Sequence, residues 1–230
     1  MSRFASVLAK SPLIQLDRAF EYLIPEAMGK QIAIGQEVIF PLGRSKKTQV
    51  GYVFGLSDTS EYATAAIASI QDASEVLSRQ LFDFLRAVAD RQCVALGELL
   101  ALAIPDHMST VQRLPAIQPR ALEVDILVPK LDSALGSRAA VLTSARQLEV
   151  AGTLFPDWSL LIIANALGVY SKGKSSIIVV PERSDIDIIS DLAQRLGIDD
   201  QFVFLKPSLK KSSRYQLFHQ IKESQQLIVV

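Results

Sequence analysis

Apolar and polar positions alternate along the first 57 residues, a pattern that predicts strands. Phe4, Val7 and Leu8 open one apolar segment, and Phe20-Glu21-Tyr22-Leu23-Ile24 sets large apolar side chains around a carboxylate. Gly35 to Pro41 and Gln49 to Phe54 flank a polar turn, Leu42 to Thr48. Such a hairpin, with short strands and tight turns, predicts a small β-barrel or an open antiparallel sheet.

The period changes after Ser74. Leu77, Leu81, Phe84, Leu85 and Val88 recur at helical spacing, with Ser78 placed to cap the helix. A second apolar helix is predicted from Leu96 to Ile104, stopping before Pro105. Residues 106–136 hold Pro115, Pro119 and Pro129 with little periodicity and read as a linker, with one strand at Leu122 to Val128.

From about Ser137 strands and helices alternate. A helix over Leu160 to Val169 precedes an apolar strand, Ser176 to Pro181, of the kind covered on both faces. Ser184 is placed to cap the next helix, which ends at Leu196 with Gly197 behind it. A strand over Phe202 to Leu205, a helix over Tyr215 to Glu223 and a strand over Leu227 to Val230 complete the run. That order requires parallel crossovers. A final strand stopping at Val230 reads as a fragment, or a truncated relative, of something longer.

Composition narrows the function. The 230 residues suit one large domain or two small ones, and 49% hydrophobic with 21% charged residues supports a buried core. Lys+Arg and Asp+Glu are both 24, so any nucleic-acid contact must be local rather than driven by net charge. The single Cys93 excludes an internal disulfide or a cysteine-rich zinc site within these residues and points to a reducing cytoplasm. No apolar run approaches the roughly 20 residues that span a bilayer, and no signal-like stretch opens the chain.

Gly168-Val169-Tyr170-Ser171-Lys172-Gly173-Lys174-Ser175 satisfies the P-loop pattern G-x-x-x-x-G-K-[ST]. A working P-loop follows a strand and opens a helix, whose amides and dipole hold the phosphates. Here the predicted helix precedes the match and the strand follows it. The simpler reading is a helix C-cap at Gly168 and a lysine-bearing turn. His107 and His219 lack a plausible nucleophile or metal partner and receive no role.

Ser11 to Pro25, containing Phe20-Glu21-Tyr22-Leu23-Ile24-Pro25, resembles the N-terminal domain of the replication-restart PriA family. The resemblance continues through Gly35, Val38, Pro41-Leu42-Gly43-Arg44 and Gly51-Tyr52-Val53, then Leu96-Gly97-Glu98-Leu99 and Ala103-Ile104-Pro105. More weakly, Gly173-Lys174 with Ile177 to Glu182 looks like the strand after the first helicase helix. The resemblance implies a DNA-binding module that captures the 3′ end of a nascent strand at a stalled fork. Its pocket would use Phe20, Glu21, Tyr22, neighbouring main-chain groups and Gly43. The family usually carries Asp where this chain has Glu21, and its basic pocket residue falls near Ala65. Its phosphate loop should lie near Ala151 to Ser159, where no Gly-x-Gly-Lys-Thr stands and Trp158 sits near the expected lysine. Mg-ATP hydrolysis thereby loses its electrostatic core. The winged helix expected between the two parts does not fit in residues 106–136.

Taken without the resemblance, Glu21 is either the solvent face of an edge strand or a binding carboxylate. Phe20 and Tyr22 share the opposite face, for packing or for stacking on a base. Arg44, Lys46 and Lys47 form a basic hairpin tip, either solubilising or a set of phosphate contacts. Lys206, Lys210, Lys211 and Arg214 form a second cluster, either a solvated loop or the rim of a crevice.

These readings give an α+β, multidomain chain. A β-rich DNA-binding domain spans 1–105, a linker 106–136, and an incomplete, RecA-like α/β lobe with a degenerate P-loop 137–230. The expected function is recognition of 3′-ended or forked DNA in replication restart and primosome assembly, without helicase activity and alongside other replication proteins. No cofactor is expected within the chain: ATP lacks its loop, and the family's zinc-binding cysteines lie beyond residue 230. The alternatives are a P-loop NTPase using Gly168 to Ser175 and a replication scaffold that does not bind DNA.

Overall fold

The structure, a computed structural model, describes residues 3–43, 47–122, 124, 141 and 145–230. The chain divides into two compact units, Met1–His107 and Met108–Val230.

The first unit is built on five antiparallel strands: β1 (Phe4–Ala9), β2 (Ala19–Leu23), β3 (Glu37–Leu42), β4 (Lys47–Ser57) and β5 (Ser69–Asp72). Their order is β2-β1-β4-β3-β5. The sheet curls on itself rather than staying open. Leu23 N donates to Ala65 O and Ile67 N to Leu23 O, while Ala68 N donates to Ile39 O. The segment entering β5 therefore borders both β2 and β3. Inside lie Ala5, Val7, Tyr22, Val38, Phe40, Val53 and Ile67, with the Tyr22 and Phe40 rings 4.9 Å apart.

Helix α1 (Arg79–Gln92) starts as its sequence dictates, the Ser78 hydroxyl accepting from Leu81 N. It ends on Cys93, a non-glycine residue at φ 54°. Helix α2 (Leu96–Ala103) follows Ala95, which has no capping side chain. Asp17 supplies the cap from a distance: its Oδ1 accepts from Leu96 N at 3.2 Å and from Arg86 Nη1 at 3.2 Å. One carboxylate thus fixes the lead-in to β2 against both helices.

Glu37 and Asp72 are buried cross-strand partners. Burial pushes the Glu37 carboxyl above the usual range, with Lys10 opposing the shift. Lys10 Nζ pairs with Asp106 at 3.0 Å and His107 Nδ1 lies 3.4 Å from Asp72, so the last residues of this unit close over the buried acids.

In the second unit three short strands run parallel, β8 (Ser176–Ile177), β9 (Phe202–Val203) and β10 (Ile228–Val229), in the order β8-β10-β9. Ahead of them stand a hairpin, β6 (Gln147–Val150) and β7 (Thr153–Pro156), and helix α3 (Asp157–Tyr170). Helices α4 (Arg183–Arg195) and α5 (Lys211–Glu223) make the two crossovers. Ile163, Ile189, Leu192, Ile198 and Ile228 are fully buried at the centre.

Several local expectations are corrected here. Helix α3 runs through Gly168, and its cap is Ser171. Helix α4 is capped by Glu182, not Ser184. Glu182 and Asp185 form a reciprocal capping box that leaves Ser184 inside the first turn. The strand from Ser176 is an edge strand of two residues and is not covered on both faces, since Ile177 in it and Val179 just past it are 78% and 88% exposed. Where the resemblance would place a phosphate loop and the sequence has none, Ala151 and Gly152 (φ 47° and 76°) make a two-residue hairpin turn, and β7 passes directly into α3.

Residues 108–122 run along the second unit. Ile117 N donates to Ser224 Oγ at 2.9 Å, and Arg120 grips Asp200 at 2.7 and 2.8 Å and the Gly197 carbonyl at 2.6 Å. The strand expected at Leu122 to Val128 lies mostly outside the described residues. The Arg120 bond holds the Asp200 carboxyl at about 2, below the usual carboxylate range. Because this pKa is depressed in the folded state, the pair stabilises at neutral pH and is lost as pH falls toward 2. Both side chains are about half exposed, so solvent screening keeps the gain modest. Carboxyl NMR titration should place Asp200 near 2, returning to the ordinary range near 4 in Arg120→Ala. An unshifted midpoint in the variant would contradict the pair.

Candidate nucleic-acid interface

A cleft of about 880 Å³ opens between β2, the end of β3 and the loop from Tyr62 to Ala65. Phe20, Glu21, Tyr22 and Gly43, four residues singled out in the sequence, all line it, together with Arg18, Pro41 and Tyr62. That volume is ample for one nucleotide.

The strand period sets what each residue offers. Leu23 bonds through its N–H and C=O to the 65–67 segment, and Ile24 N donates to Arg3 O on the β1 side. Backbone groups alternate along a strand, so those of Glu21 point to the cleft side, away from β1. The Glu21 carboxylate is half-buried and accepts from the Ser60 hydroxyl through Oε2. Ser60 Oγ in turn accepts from Ala63 N at 2.9 Å and Tyr62 N at 3.2 Å. One carboxylate oxygen thus organises the loop, and Oε1 is left for a donor.

Tyr22 is a supporting group. Its ring is buried, its hydroxyl donates to Pro41 O at 2.9 Å, and burial raises its phenol pKa. That bond ties β2 to the turn holding Gly43, across two intervening strands. Gly43 has φ +68°, and a Cβ there would meet nothing within 4 Å. The backbone conformation demands glycine, and the space beside it is open to a ligand. Phe20 is half-buried against the core, with the Arg18 guanidinium 5.0 Å from its ring centroid.

Ala65 stands where the resemblance puts a cation, and its carbonyl is spent on Leu23 N. Among the described lining residues Arg18 is the cation that remains. Lys47 opens β4 opposite Leu42 and is exposed. Arg44 and Lys46 lie outside the described residues. Sequence reasoning missed Arg18, Ser60 and Tyr62. The available signals were a cation two positions before Phe20 and a lone aromatic in the polar run after Ser57.

In the second unit, Gly168 to Ser175 leaves the last turn of α3 and enters β8, so no helix follows the match. Lys206 pairs with Asp187 at 2.5 Å, while Lys210 and Lys211 sit at the start of α5.

Residues 6–105 match the family model PriA_3primeBD, the 3′DNA-binding domain (3′BD). The first unit is a PriA-type 3′DNA-binding domain. No curated protein matches the chain. The matched stretch of this 3′DNA-binding domain begins in β1, ends just past α2, and contains every residue that lines the cleft.

Proposed function

We propose that this protein captures the 3′ end of a nascent DNA strand at a stalled fork, in replication restart and primosome assembly, without unwinding DNA. The observation that carries this reading is the placement of Glu21 in one cleft with Gly43 inside a 3′DNA-binding domain. A terminal 3′-hydroxyl donates a hydrogen bond that Glu21 Oε1 accepts, whereas an internal phosphodiester has no such proton and repels the carboxylate. The Glu21 main chain and the open side of Gly43 receive the base and sugar. Phe20 and Tyr22 hold the walls, and Lys47, with Arg44 and Lys46, meets the phosphates behind the end.

The second unit is read as a remnant of a first helicase lobe. Parallel strands β8, β10 and β9 with crossover helices support that reading. Trp158 occupies the first turn of α3, and the preceding hairpin offers no glycine cradle for a triphosphate. The lobe then serves other replication proteins rather than ATP turnover, and the chain acts in the cytoplasm with no cofactor of its own. Among the described residues no helix is long and apolar enough to cross a membrane.

The test is competition between two otherwise identical oligonucleotides, one ending in a 3′-hydroxyl and one in a 3′-phosphate. The hydroxyl end should win by about tenfold or more, the worth of a charge-assisted hydrogen bond. Equal competition removes the end-recognition mechanism.

A further inference from the structure

The aromatics of the Phe20-Glu21-Tyr22 triplet are occupied. Tyr22 is buried with its hydroxyl on Pro41, and Phe20 is half-buried beneath Arg18. An end cleft still needs a face for the terminal base, since ordered hydrogen bonds alone leave its apolar rings in water. One large ring on the cleft wall is free. Tyr62 is 78% exposed and lines the cleft, and an aromatic so exposed gains little from packing within its own chain.

Its backbone is held all the same. Ser60 Oγ accepts from Tyr62 N at 3.2 Å and from Ala63 N at 2.9 Å while donating to Glu21. The Tyr62 main chain and the Glu21 carboxylate are therefore held by one shared hydroxyl. That coupling suits a site that must recognise a hydroxyl and a base of the same nucleotide together.

We propose that Tyr62 is the stacking residue for the base of the 3′-terminal nucleotide, with Ser60 the positioning residue that sets it against Glu21. This rests on the end-recognition reading above. Stacking suits an end binder because every base has a π face, so capture would not depend on sequence. Arg18 lies on the same wall, over Phe20, and among the described residues it has no carboxylate partner; it meets the phosphate of that nucleotide.

The experiment uses the full chain and oligonucleotides ending in 2-aminopurine or in an abasic sugar, each with a free or phosphorylated 3′ end. Stacking on Tyr62 should quench the terminal 2-aminopurine in wild type. Tyr62→Ala should abolish the quench and weaken binding of the free end about tenfold, while Tyr62→Phe keeps both. The abasic end should bind wild type no more tightly than the base-bearing end binds Tyr62→Ala. The ratio of free to phosphorylated ends should survive in Tyr62→Ala, because that ratio belongs to Glu21. Ser60→Ala should reduce the quench and the end ratio together. Full quench and affinity in Tyr62→Ala, with the end ratio intact, overturns the stacking role and leaves end recognition standing. A wild type with no end ratio overturns both.

Discussion

Gly97→Ala is expected to unfold the 3′DNA-binding domain or bring it close to unfolding. Gly97 is the second residue of α2, and a methyl group there would lie 2.1 Å from Ser11 O, 2.7 Å from Ser11 N and 2.8 Å from Ala9 O. All three are main-chain atoms, so no side chain can swing aside. Overpacking usually costs about 1–3 kcal/mol, and a clash with fixed backbone belongs at or above the top of that range. The gain of about 1 kcal/mol from replacing glycine in a helix does not offset it. Moving α2 outward also breaks the Asp17 bond to Leu96 N, which positions the lead-in to β2 and hence Arg18 to Tyr22. Urea unfolding followed by circular dichroism should show a clearly lower midpoint, with loss of DNA binding in step. An unchanged midpoint would mean that α2 does not pack on Ala9 to Ser11 as described.

Glu21→Ala has the second largest expected effect, and it is selective. A charge-assisted hydrogen bond contributes about 1.5–3 kcal/mol, which corresponds to roughly a tenfold to hundredfold loss of affinity for a free 3′-hydroxyl. Binding of a 3′-phosphate end should hold or improve, because the substitution removes a carboxylate that repels it. Isothermal titration with both ends separates this outcome from general damage to the cleft. Equal losses on the two ends would assign Glu21 a merely structural role through Ser60.

The local elements of the first unit were legible because each carries its own signal. The β3–β4 hairpin follows from alternation around a polar turn, and α1 from its period with Ser78 in front. Closure of the sheet was not legible. It depends on Leu23 meeting Ala65 and Ile67 across some forty residues, through a segment with no marked alternation. The same distance hid half of the cleft: the triplet from Phe20 and the glycine turn announce themselves, but Ser60 and Tyr62 acquire meaning only once the ring is closed. In the second unit Glu182 displaced Ser184 as cap because its reciprocal bond with Asp185 satisfies two helix-end donors instead of one. Gly168 looked like a helix end, yet α3 continues to Tyr170, where Gln226 Nε2 bonds to the Tyr170 carbonyl and its hydroxyl reaches Gln201. A glycine inside a helix costs about 1 kcal/mol, which such tertiary contacts readily exceed.

The most direct test of the account is fluorescence anisotropy on a forked DNA whose nascent arm ends in a free or a phosphorylated 3′ terminus, with wild type and Glu21→Ala in parallel. The account predicts tighter binding of the free end by wild type and no difference between the two ends in the variant. Wild type that binds both forks equally would contradict it.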